Sequence, residues 1–153
     1  MITAKLIASL LTAISGYTGY AIPVVAPEII AIPQSELAEQ VCSRPCGVLA
    51  FTTPEGRILV DDSLHIGTDP VATSILVHEL THFMQLHAHA KHDPHTASRG
   101  ATLHLPLDCQ DWSARESEAY HVQLQWLRDT APTIREFSLE LSRLGARPVF
   151  KAC

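Results

Sequence analysis

Residues 69–86 read Asp69-Pro70-Val71-Ala72-Thr73-Ser74-Ile75-Leu76-Val77-His78-Glu79-Leu80-Thr81-His82-Phe83-Met84-Gln85-Leu86. Asp69 is a strong helix N-cap, and Pro70 suits the first helical position, where no backbone N–H is needed. At 100° per residue, Leu76, Val77, Leu80, Phe83 and Met84 share one apolar face. Ser74, His78, Thr81, His82 and Gln85 lie on the other side. The stretch therefore predicts an amphipathic helix from Pro70 to about Leu86 that packs into a core and turns two histidines away from it. Within it, His78-Glu79-Leu80-Thr81-His82 has the form H-E-x-x-H. Histidines four apart sit one turn above each other, so both imidazoles can ligate one zinc ion, and the glutamate between them can reach a water at that metal.

The elements around this helix predict a small α+β domain. Glu28–Ile32 between prolines reads as a short buried strand and Ser35–Val41 as a short helix. Val48–Phe51 and Arg57–Val60 flank Thr52-Thr53-Pro54-Glu55-Gly56 and read as a hairpin. Its second strand, Arg57–Val60, is expected to form a sheet edge able to pair with an extended peptide. Residues 87–106 hold His87, His89, His92, His95 and His104 among Ala, Pro, Ser and Gly, and read as a long loop. Ser113-Ala114-Arg115-Glu116 is an S-x-x-E capping box opening a second long helix. Thr133–Leu144 reads as a last helix that stops at Gly145.

The chain of 153 residues suits one domain, and its net charge of −5 comes without a basic run. Nucleic acid and anionic membranes are thereby disfavoured as partners, because both need clustered Lys or Arg. Leu6–Ile14 is apolar and too short to span a bilayer, and Lys5 is the one charge in the first 27 residues. Residues 1–21 therefore read as a secretory signal cut after Ala21, leaving residues 22–153 as the domain. An uncleaved membrane anchor or a buried N-terminal helix is the alternative. Cys42, Cys46, Cys109 and Cys153 fit an oxidising destination, with Cys42–Cys46 and Cys109–Cys153 the preferred pairs among three.

A catalytic zinc takes three protein ligands and keeps one position open. A third histidine six residues after His82 is missing, since Ala88 stands there, and the glycine of that pattern is replaced by Gln85. His87 and His89 would need a sharp turn after Leu86. The preferred third ligand is Glu118 on the second helix. Glu116 is assigned to capping Ser113, and His121 lies one turn beyond Glu118. Tyr120, His121 and His104 are candidates to donate a hydrogen bond to an oxyanion.

H-E-x-x-H on one helix with a glutamate on a later one resembles the gluzincin branch of the zincin metallopeptidases. Ser74–His82 together with Arg115–Gln123 is similar, more narrowly, to small exported bacterial metallopeptidases. The resemblance spans about residues 42–128. It implies a minimal zincin-like fold, one zinc ion held by His78, His82 and Glu118, and Glu79 as the catalytic base acting on a peptide or protein substrate. A secreted zinc-binding protein without catalysis is the alternative.

Overall fold

The computed structural model describes residues 2–42, 46–90 and 108–132. Its elements are α1 (Ala4–Thr18), β1 (Ile29–Ile32), α2 (Gln34–Val41), β2 (Ala50–Thr52), β3 (Ile58–Asp61), α3 (Pro70–Ala90) and α4 (Cys109–Thr130). This is an α+β arrangement of a small mixed sheet and helices.

The start of α3 follows its sequence. Asp69 Oδ1 accepts from the Val71 N–H at 2.8 Å, and the Thr73 N–H reaches the Asp69 carbonyl at 2.9 Å. Leu76, Val77, Leu80, Phe83 and Met84 are buried in the core. The end differs from expectation. Residues 87–90 continue the helix instead of opening the loop, because Leu86-His87-Ala88-His89-Ala90 holds no Gly or Pro and alanine is the best helix former. The remainder of the expected loop, with His92, His95 and His104, lies outside the described residues.

The polar side of α3 is also not open to solvent. Ser74, Thr81 and Gln85 are fully buried, and α4 packs along this helix. Their polar atoms are satisfied, as buried groups must be. Thr81 Oγ1 donates to the Val77 carbonyl at 2.8 Å, and Ser74 Oγ accepts from Gln123 Nε2 at 3.1 Å. The histidine face therefore looks onto a second helix.

The sheet order is β1-β3-β2, with β1 parallel and β2 antiparallel to β3. The β2–β3 hairpin closes where the Thr53 N–H donates to the Arg57 carbonyl at 2.8 Å, with Gly56 at φ +80°. Glycine takes that conformation without a Cβ clash. Ile58 and Val60 join the core with α3, whereas Leu59 points to the other face by the period of two. There α2 packs on β3 and buries Leu37 completely. Since β3 is paired on both sides, it is not the free edge expected for Arg57–Val60. Among the described residues the edges are β1 and β2.

The segment expected to be a signal forms α1, which packs on α3 and α4 and buries Leu10, Leu11 and Ile14 in the same core. A cut after Ala21 would take those three side chains and Tyr20 away from it. No described helix is long and apolar enough to cross a membrane. Cys42 and Cys46 are joined by a disulfide. The expected Cys109–Cys153 pair and the helix at Thr133–Leu144 involve residues outside those described.

Candidate metal centre

His78 and His82 project from one face of α3 with their Nε2 atoms 3.1 Å apart. Glu116, on α4, completes the group. Its Oε1 is 3.0 Å from His82 Nε2, and its Oε2 is 3.5 Å from His78 Nε2. These three residues are able to hold a metal ion. The spacing fits a small tetrahedral ion: ligand atoms about 2.0–2.1 Å from zinc at tetrahedral angles stand about 3.3 Å from each other. Two imidazoles and one carboxylate are also a donor set zinc accepts.

Glu118, the expected third ligand, is placed elsewhere. Its Oε2 accepts from Tyr20 Oη at 2.6 Å and from Gln85 Nε2 at 2.8 Å. The exchange of roles has a physical cause in where α4 begins. Asp108, not Ser113, caps the helix, with its Oδ1 accepting from the Asp111 N–H at 2.8 Å. Glu116 therefore sits in the second turn with no capping duty, facing α3. Glu118 is 200° further round and meets Gln85 and Tyr20 instead of the two histidines. Asp108-x-x-Asp111 was the signal in the sequence for this earlier start.

Electrostatics follow from the geometry. Burial pushes the Glu116 carboxyl up, but hydrogen bonds from His78 and His82 and their charge outweigh it and hold it down to about 2. Burial works against charge on His82, yet the Glu116 hydrogen bond, the Glu79 charge and Gln85 together raise its pKa above the ordinary value. The Glu116 carboxylate beside Nε2 thus favours the charged form of His82.

Glu79 is buried beside the group. The Thr52 hydroxyl lies 2.7 Å from Glu79 Oε2 and 2.9 Å from the Glu79 carbonyl, tying the glutamate to β2. Nothing in the sequence marked Thr52 for this. Tyr120 packs against His78 with ring centroids 4.4 Å apart and the rings tilted by 57°. Its hydroxyl pKa is pushed up to about 12 by burial and by the charges of Glu116 and Glu79, so it remains a donor at neutral pH. His121 is exposed and outside the group, and His104 lies beyond the described residues. His87 donates from Nδ1 to the Phe83 carbonyl at 2.8 Å and takes no part.

Beside His82 and Glu116 lies a cavity of about 80 Å³ with largely apolar walls that include Phe51, Pro54, Leu86 and Trp112. The chain matches no protein-family model, no curated protein and no solved structure.

Proposed function

We propose that the protein is a zinc-dependent hydrolase acting on peptide bonds, with His78, His82 and Glu116 as zinc ligands and Glu79 as the catalytic base. The observation that carries this reading is the meeting of three ligand atoms with a fourth, separately held carboxylate. Glu79 follows a ligand in sequence but is not one of the ligand group, which is the division of labour a metallohydrolase needs. Zinc, when bound, supplies a Lewis acid that brings the pKa of a water to about 7 and polarises a carbonyl. Glu79 accepts the proton of that water and passes it to the leaving amine, while Thr52 holds its Oε2 and leaves Oε1 to take the proton. The Tyr120 hydroxyl serves as the donor to the substrate oxygen.

Two features support a peptide as substrate. The β2 edge carries Thr52 and lies beside the site, so an extended chain pairing there would run past Glu79. The apolar-walled cavity next to Glu116 offers room for one apolar substrate side chain. The Cys42–Cys46 disulfide supports export to an oxidising compartment.

The test is Glu79→Gln. The variant is expected to keep its zinc and lose cleavage of a mixed peptide library. Cleavage at the wild-type rate by this variant refutes the mechanism.

A further inference from the structure

We infer that Gln85 is a positioning residue of the metal site: it fixes the tautomer and orientation of His82, and is itself locked by Glu118 and Tyr20. The inference rests on the metal-binding part of the reading above and assigns Glu118 a task other than ligation.

Gln85 is 1 % exposed, so each of its polar atoms needs a partner. Its Nε2 donates to Glu118 Oε2 at 2.8 Å and to the Arg115 carbonyl at 3.0 Å. Those two acceptors consume both amide hydrogens and fix which way the amide faces. Its Oε1 therefore points at His82 Nδ1, 2.8 Å away. An amide oxygen only accepts, so Nδ1 must carry the hydrogen. Neutral His82 then presents a bare Nε2 toward His78 and Glu116, which is the form a metal requires. Turning the amide round would set its oxygen against a carboxylate and a carbonyl at once.

Behind this link, Tyr20 Oη donates to the same Glu118 Oε2 at 2.6 Å. The chain Tyr20–Glu118–Gln85–His82 runs from the second residue after α1 to the metal site. His78 has no comparable support: its Nδ1 is buried with no hydrogen-bond partner among the described residues.

The experiment combines zinc titration calorimetry with long-range nitrogen–proton NMR of the imidazoles, on full-length wild type and on Gln85→Leu. Gln85→Met serves as a second variant that keeps an unbranched chain in the same space. Expected results are a hydrogen on His82 Nδ1 that exchanges slowly with water in wild type and fast in the variants, and zinc affinity about 10–100-fold lower, as for other supports behind a metal ligand. Thermal melting of the metal-free variants separates this from a general loss of fold. A His82 Nδ1 that carries no hydrogen in wild type overturns the inference whatever the variants do, as does affinity within twofold in a folded variant. Wild type that binds no zinc but shows the slowly exchanging Nδ1 hydrogen would instead sink the metal reading and leave this hydrogen-bond assignment standing.

Discussion

Exchanging Glu116 for Gln and, separately, Glu118 for Gln tests how α4 divides work between two carboxylates two residues apart. Glu116 provides one of three protein donors and the one negative charge in the ligand group. Structural zinc sites with four protein ligands are worth about 10–16 kcal/mol, or about 3 kcal/mol for each ligand. At about 1.4 kcal/mol per power of ten, Glu116→Gln should weaken zinc binding about a hundredfold or more. Glu118 behaves differently because both of its donors, Tyr20 and Gln85, converge on a single oxygen. A glutamine there can offer one oxygen to the same two donors, so Glu118→Gln should change affinity by about tenfold or less. Competition with a chromophoric chelator, starting from metal-free protein, measures both. If Glu118→Gln abolishes binding and Glu116→Gln leaves it intact, the assignment of ligands is wrong.

The metal-free protein should be most stable between about pH 4.5 and 6.5. The folded Glu116 pKa is lowered from 4.5 to about 2, so its stabilisation, about 3 kcal/mol at most, is complete above pH 4.5 and lost as pH falls toward 2. The folded His82 pKa is raised above 6.5, so its contribution is complete below that value and lost as pH rises through the folded pKa. Urea denaturation across pH reads this, and a stability that simply climbs from pH 5 to 9 would contradict it. Removing residues 1–21 takes out Leu10, Leu11 and Ile14, a gross burial of roughly 5–9 kcal/mol at 1.5–3 kcal/mol per side chain. Denaturation should find the shortened chain far less stable, and equal stability would show that α1 contributes nothing to the core. Tyr120→Phe should lower kcat about a hundredfold while zinc affinity stays the same, and unchanged kcat would remove Tyr120 from the reaction.

The α+β class, the hairpin and the H-E-x-x-H helix were legible because each has a local cause. Asp69-Pro70 sets the start of α3, apolar spacing sets its buried face, and Gly56 sets the turn. The Cys42–Cys46 pair agrees with the preferred pairing, although the sequence by itself allows three. The approach of Glu116 to the two histidines was not legible, because it depends on the phase of α4 against α3. Starting that helix at Ser113 instead of Cys109 gave Glu116 a capping task and left Glu118 as the candidate. The polar flank of α3 was read as facing away from the core, since periodicity separates apolar from polar faces but does not say what covers the polar one. Gln85 was legible as a neighbour of His82 on one helix face, but its link to Glu118 and the link of Thr52 to Glu79 were not, because those partners are 33 and 27 residues away in sequence.

Equilibrium dialysis of the purified, metal-free protein against zinc tests the central claim most directly. One zinc per chain, reduced to none in His78→Ala and in His82→Ala, is the predicted result. No zinc in wild type, or one zinc still held after both histidines are replaced, would contradict it.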